Sequence, residues 1–338
     1  YAILSQHIGD LENLETMDFF RETLDHLSRF FRVSPVAVAH DLHPGYLSSR
    51  FALEESGLRP VGVQHHHAHI ASCMADNGLQ GRVIGVAFDG TGYGTDGQIW
   101  GGEFLACDFR GFERRAHLGY VPLPGGDAAV RQPWRMALAY LLAAFGAEAT
   151  SLPLPIFRQI SPKKIAGVST MIARGFQTVQ TSSCGRLFDA VASIIGLRHD
   201  VTYEGQAAIE LETAAANVQD AYPYQFTDGD PFQVDMRPTI QAIVGDLAQT
   251  TAAGVISARF HRTVAHVIVR TCQRIRESEG FNRVCLSGGS FQNLRLLEHS
   301  VSGLRELGFE VFFHHHVPTN DGGLSLGQAV IANAILAV

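Results

Sequence analysis

With 338 residues, 46% of them hydrophobic and 17% charged, the chain is long and apolar enough to bury one large α/β domain or two lobes, and too apolar for a disordered tail. Its formal charge of -7 argues against a nucleic-acid grip made by the whole surface and leaves only a local basic patch for that purpose. No apolar run approaches the roughly 20 residues of a membrane helix, and neither a signal peptide nor a membrane contact is expected.

The opening "YAILSQHIGD", without a methionine, is expected to be a piece of something longer. "VAVAHDLHPGY" begins as a buried strand and ends in a loop, and "FALEESG" continues as a short helix closed by Gly57. "PVGVQ" is a second strand and "HHAHIASCMADNG" a helix closed by Gly78. "RVIGVAFDGTGYG" reads as a third strand running into a glycine-rich turn, with "QIWGGEFLACDF" as its antiparallel neighbour. After "PLPGGDAAVRQP" helices follow at "WRMALAYLLAAFG" and around Lys163–Ala173, Gly185–Gly196 and Gln206–Val218, then a hairpin turning at Asp228-Gly229. A long helix over Val255–Glu279 precedes the strand "RVCLSGG", the helix "FQNLRLLEHSVSGLRELG", the strand "EVFFHH" and a closing helix. That β-α-β-α ending predicts a partly parallel sheet covered by helices, in two lobes divided near Tyr120. Cys73, Cys107, Cys184, Cys272 and Cys285, scattered without CxxC spacing, predict reduced packing thiols in a cytoplasmic protein.

Four histidines crowd into "VQHHHAHI". Residues four apart share a helix face, so His65 and His69 can point at one ion, whereas His66 and His67 are turned away. Solvated or hydrogen-bonded rings are the alternative for the pair; the middle two read as supporting or nucleotide-facing side chains. Two imidazoles need further ligands. Asp89, after "VIGVAF", and Asp321, in "TNDGG", both follow strands, where an α/β sheet presents its ligand groups. Two histidines and two aspartates suit Fe²⁺ or Zn²⁺. An Asp before Gly is also a common turn residue. His314–His316 alternate sides at a strand end and cannot converge as one chelate.

Two glycine-rich segments follow strands, "DGTGYG" with Gly90 and Gly92, and "LSGGSFQN" with Gly288, Gly289 and Asn293. Glycines let backbone N–H groups approach phosphate oxygens, although tight turns need them too. Neither segment is a Walker or Rossmann loop. Asp189, on a helix capped by a serine, is a candidate ribose ligand; Glu204 and Gly205 stand at another helix start, where plain capping is the alternative.

Taken together, "SQHIGDLENLET", "VQHHHAHIASCMADN", "VIGVAFDGTGYGTDGQIWGGEF", "PLPGGDAAVRQPWRMALAYL", "TSSCGRLFDAVASIIGLR", "YEGQAAIELE", "LSGGSFQNLRL" and "PTNDGGLSLGQA" resemble the C-terminal part of the HypF family, the carbamoyltransferases of NiFe-hydrogenase maturation. The resemblance implies a two-lobed actin/Hsp70/sugar-kinase-like ATP-binding fold, truncated at its N-terminus. Residues 1–120 would form a first lobe with the histidine pair, and 121–338 a second whose C-terminal segment returns to the metal. It implies iron or zinc on His65, His69, Asp89 and Asp321, with Asp189, Gly205, Asn293 and the Gly288-Gly289 pair contacting nucleotide. Acylphosphatase-like, zinc-finger and YrdC-like parts precede this domain in the family and are missing here, so part of the phosphate grip is expected to be absent.

In that family the YrdC-like domain makes carbamoyl adenylate from carbamoyl phosphate and ATP, which Mg²⁺ accompanies. This domain then passes the carbamoyl group to the C-terminal cysteine of HypE. Competing readings are an O-carbamoyltransferase of small-molecule synthesis, a tRNA threonylcarbamoyl transferase, disfavoured by the acidic balance, and a non-catalytic ATP-dependent scaffold, disfavoured by the histidine pair.

Overall fold

The computed structural model describes residues 1–11 and 13–337, so Glu12 of the first motif and Val338 lie outside it. Helix α1 (Leu14–Phe31) is capped by Asn13, whose side chain accepts from the Thr16 N–H at 2.8 Å. The sequence reading assigns no element here. Leu14, Met17, Phe20, Leu24, Leu27 and Phe31 recur at helical spacing along one face, yet only Met17 and Thr23 of this helix are buried, and Leu14, Leu24 and Phe31 face solvent.

Strands β1 (Ala37–Asp41) and β2 (Arg59–Val63) form a small parallel sheet, with Asp41 opposite Val63. Between them run α2 (Leu47–Arg50) and a π turn, Phe51–Glu55. β2 passes through Gln64 into α3 (His65–Asp76), and the Gln64 side chain caps that helix by accepting from the His67 N–H at 2.9 Å.

The large sheet begins with the antiparallel meander of β3 (Val83–Tyr93), β4 (Ile99–Cys107) and β5 (Phe112–Leu118). β6 (Val121–Pro124) follows, then α4 (Asp127–Arg131), α5 (Pro133–Phe145), α6 (Pro155–Gln159) and α7 (Pro162–Arg174). β7 (Thr178–Thr181) pairs with β6 and touches β4. α8 (Cys184–Ile194) and α9 (Gln206–Ala214) lead to the hairpin of β8 (Gln225–Thr227) and β9 (Phe232–Asp235). After α10 (Arg237–Ala248) and the long α11 (Ala253–Glu279), β10 (Arg283–Ser287) pairs parallel to β3. α12 (Leu294–Glu306) crosses over to β11 (Glu310–Phe312), and α13 (Leu324–Leu336) closes the chain. The main strand order is β11-β10-β3-β4-β5-β9-β8.

Both faces of this sheet are covered, which is why β3 reads as a continuous apolar run. Ile84, Val86 and Phe88 face the main core with Trp134, Phe188 and Phe260. Val83 and Ala87 face Ile70 and Met74 of α3. The far side of α3 packs on α13 through Ala68, Ala71, Leu324 and Ile331. Sandwiched in this way, every residue from His65 to Met74 is buried.

Tyr120, where the lobes are expected to divide, lies between β5 and β6 within the large sheet, and the small β1-β2 sheet precedes α3. "PLPGG" marks a passage from strands to helices. One expectation shifts. "DGTGYG" is not a turn after β3: the strand runs on to Tyr93, its pairing with β4 interrupted between Phe88 and Gly92.

Candidate functional site

Asp89 sits in that interruption of β3, where its carboxylate turns toward α3. Its Oδ2 lies 3.2 Å from His65 Nε2 and 3.4 Å from His69 Nε2. Asp321 opens the short turn before α13, and its Oδ1 lies 3.6 Å and 3.3 Å from the same two nitrogens. One ligand atom from each of the four residues falls within 4.8 Å of the others. Both histidines are 1% exposed, whereas the Asp321 side chain is 65% exposed, so the cluster opens to solvent on that side. His69 Nε2 is buried without a hydrogen-bond partner despite two carboxylates nearby. Two imidazole nitrogens and two carboxylate oxygens converging on one point make a donor set that fits a divalent cation.

Sequence reasoning missed Asp41. At the end of β1, its Oδ2 meets His65 Nδ1 at 2.7 Å, and its Oδ1 accepts the His43 N–H at 2.7 Å. The available signal was its place at the carboxyl end of a strand, the rule that singled out Asp89 and Asp321. Burial works against charge on His65, but the carboxylates of Asp321, Asp41 and Asp89 raise its pKa well above the ordinary value. Asp89, for its part, is desolvated yet held well below the usual carboxylate range by His65 and His69.

The glycines serve several purposes. Gly289 donates its N–H to Asp89 Oδ1 at 2.9 Å, so this amide orients the carboxylate. A Cβ at Gly288, where φ is +103°, would lie 2.2 Å from Phe88 O; at Gly92 it would lie 2.5 Å from His66 Cε1 and 2.7 Å from His65 Cδ2. Gly92 therefore makes room for imidazoles. Only Gly90 faces open space, next to the cap of α8, where Ser183 Oγ donates to Asp89 O and Gly90 O.

Among the other candidates, Glu204 and Gly205 precede α9. Burial and the nearby Asp321, Asp89 and Asp10 raise the Glu204 acid, so it shares the field of the cluster. Asp189 is 3% exposed and 2.8 Å from Arg186 Nε. Asn293 is committed elsewhere: its Oδ1 caps α12 by accepting the Leu296 N–H at 2.9 Å, and its Nδ2 donates to His261 Nε2 at 2.8 Å.

The remaining histidines stay off the cluster. His67 Nε2 donates to Asp108 O at 2.6 Å, and His66 Nδ1 pairs with Gln64 Nε2 at 3.2 Å. His314 bonds Ser287 Oγ at 2.8 Å, while His316 pairs with Asp76 at 2.9 Å. All five cysteines are free and buried.

The family model described as carbamoyltransferase, Kae1-like domain, second subdomain, matches residues 85–328, and the HypF Kae1-like domain matches residues 1–76. The chain belongs to the HypF carbamoyltransferase family. The two matched stretches meet where α3 gives way to β3.

The chain is 38% identical over 344 residues to the carbamoyltransferase HypF of a Synechocystis species, covering 97% of this chain but only 44% of the relative. With a carbamoyltransferase HypF homolog of Cupriavidus necator the identity is 35% over 337 residues, covering 96% of this chain and 84% of the relative. A crystal structure of full-length HypF in the phosphate- and nucleotide-bound form matches with a TM-score of 0.94 at 44% identity, over 99% of this chain and 52% of that one. The structure of T. kodakarensis HypF matches at 0.88 and 31% identity, over 98% of this chain and 45% of that one. The architecture is the α/β fold of the actin, Hsp70 and sugar-kinase class.

Proposed function

We propose that this chain transfers a carbamoyl group from carbamoyl adenylate to the C-terminal cysteine thiol of HypE, a step in the maturation of NiFe hydrogenase. Family membership supports the reaction type, and the convergence of His65, His69, Asp89 and Asp321 supports the site. Two imidazoles and two carboxylates suit a divalent iron or zinc ion, which, when bound, polarises a phosphate or carbamoyl oxygen. A cation is also what electrostatics asks for. Asp89, Asp321 and Glu204 share one field, and an anionic adenylate entering it meets like charge unless a positive ion lies between.

The chain's own residues orient the reactants. Gly289 and Asp41 fix the ligand side chains, the space beside Gly90 admits the nucleotide, and Ser183 braces the β3 interruption at that space. The acceptor thiolate attacks the carbamoyl carbon. A C–S bond forms, the C–O bond to the phosphate breaks, and AMP leaves with the electron pair.

The nucleophile comes with the partner. Every cysteine here is buried, and burial pushes the Cys184 thiol up to about 12. The YrdC-like domain of the longer protein supplies the adenylate, using ATP with Mg²⁺. The five free buried cysteines suit a cytoplasmic protein, and no helix among the described residues is long and apolar enough to cross a membrane.

The test supplies the chain with carbamoyl adenylate and HypE and follows the HypE C-terminus by mass spectrometry. Carbamoylation that disappears in His65→Ala together with bound iron or zinc is expected. Consumption of carbamoyl phosphate and ATP by this chain alone would overturn the division of labour, and transfer by metal-free protein would overturn the metal's part.

A further inference from the structure

We infer that Asp41 is a positioning residue for the metal centre: it holds His65 as the tautomer that carries its proton on Nδ1 and leaves the Nε2 lone pair for the ion. This rests on the metal reading above and extends it to a residue outside the ligand set.

The geometry is specific. An imidazole presents one nitrogen to a metal only when the other has somewhere to put its proton. His65 Nε2 faces Asp89 and Asp321, at 3.2 Å and 3.6 Å, and its Nδ1 meets Asp41 Oδ2 at 2.7 Å. Both partners of that last contact are buried, His65 to 1% and Asp41 to 4% exposure. A carboxylate buried there is costly unless each oxygen is satisfied. Oδ2 has the His65 Nδ1–H, and Oδ1 has the His43 N–H at 2.7 Å. Its main chain is fixed as well, because Ser49 Oγ donates to the Asp41 carbonyl at 2.8 Å.

Strand register explains how the contact arises. β1 ends at Asp41, opposite Val63 of β2, and β2 reaches His65 two residues later. Parallel pairing therefore brings the end of one strand against the start of the helix that the next strand feeds. The ring is held in angle as well as tautomer, since Gly92 lets β3 pass directly against it.

A buried ion pair of purely structural value would hold β1 to α3 without selecting a tautomer. The two roles separate in measurement. In zinc-loaded wild-type protein, nitrogen-15 NMR of the histidine rings should show His65 protonated at Nδ1 and metal-bound at Nε2. Metal on Nδ1, or a proton on Nε2, overturns the inference without any variant having to fold.

Asp41→Asn keeps the shape and one acceptor oxygen but loses the charge. Its zinc affinity, read by chelator competition, should fall about 10- to 100-fold, and Asp41→Ala should fall further. The visible bands of the Co²⁺-substituted Asp41→Asn protein should shift. Wild-type zinc affinity and an unchanged cobalt spectrum in Asp41→Asn overturn the positioning role while leaving the metal site standing. Absence of zinc or cobalt binding in wild-type protein overturns the metal reading and this inference together.

Discussion

Gly327 offers a sharp test of how the cluster is built. This glycine lies in α13, where that helix crosses α3, and a Cβ there would stand 1.8 Å from Ala68 O, 2.7 Å from Ala68 C and 2.9 Å from Ser72 N. All three are backbone atoms of a helix buried on every side, so none can swing away. Reaching even the 3.0 Å that real Cβ atoms keep requires α13 to retreat by 1.2 Å at that point. Asp321 would be dragged with it, because the Asp321–Gly323 turn runs straight into α13, and the retreat would also strain the bond from Ser72 Oγ of α3 to the Gly323 carbonyl, 2.7 Å long.

Metal–ligand distances tolerate only about 0.2 Å, so Gly327→Ala should weaken zinc binding by more than the roughly tenfold that loss of a supporting partner costs. Overpacking should also lower stability by about 1–3 kcal/mol. Gly167→Ala, in α7 with open space at its Cβ, is the control and should be neutral or up to about 1 kcal/mol more stable. Chelator competition and thermal unfolding read both quantities. A Gly327→Ala protein that binds zinc and melts as wild type does would refute the packing argument.

Gly92→Ala should likewise reduce zinc occupancy, measured by elemental analysis, because the new methyl would displace the His65 and His66 rings, 2.7 Å and 2.5 Å away. Away from the cluster, Glu103 is fully buried and its Oε2 pairs with Arg114 Nε at 2.6 Å, beneath Trp100. Arg114→Met would remove the counter-charge and the Oε2 partner, while the Gly101 and Gly102 N–H groups and Ser182 Oγ still donate to Oε1. The cost, read from urea midpoints near neutral pH, should therefore be at or below the low end of the about 3–5 kcal/mol for a broken buried pair. Against desolvation, Arg114 holds the Glu103 pKa below its ordinary 4.5, so its contribution is present above that value and lost as pH falls through the folded pKa. The gap between wild type and variant should therefore narrow on acidification. The five buried cysteines should resist a thiol reagent in native protein and all react in denaturant; prompt native labelling of Cys184 would contradict its burial.

The metal candidates were legible in sequence because helix and strand periodicities are local. His65 and His69 share a face by spacing alone, and Asp89 and Asp321 stand after recognisable apolar strands. Asp41 also stands at the carboxyl end of a strand, but its partner was not legible, since only the parallel pairing of β1 with β2 sets it beside the start of α3 and against His65. Glycines mislead for a related reason. Gly92 and Gly288 look like phosphate-loop residues, yet the atoms that forbid a side chain there belong to His65, His66 and Phe88, which only the tertiary fold brings near. Asn293 illustrates the competing local use of a polar residue, its side chain consumed by a helix cap and by His261. Near Tyr120 the composition changes from strand-rich to helix-rich, while β6 and β7 beyond it still pair into the large sheet, a long-range pairing that composition does not reveal.

The contact between α3 and α13 also sets an order of events in synthesis. A growing chain displays the histidine helix early, while the helix that shields Ala68 and Ala71 and the aspartate that completes the cluster are still inside the ribosome. Premature ions could meet the two imidazoles but not the full cage. The two imidazoles and Asp321 therefore come together only once α13 has been made and has packed against α3, whereas the strands from β3 to β11 are all made before it.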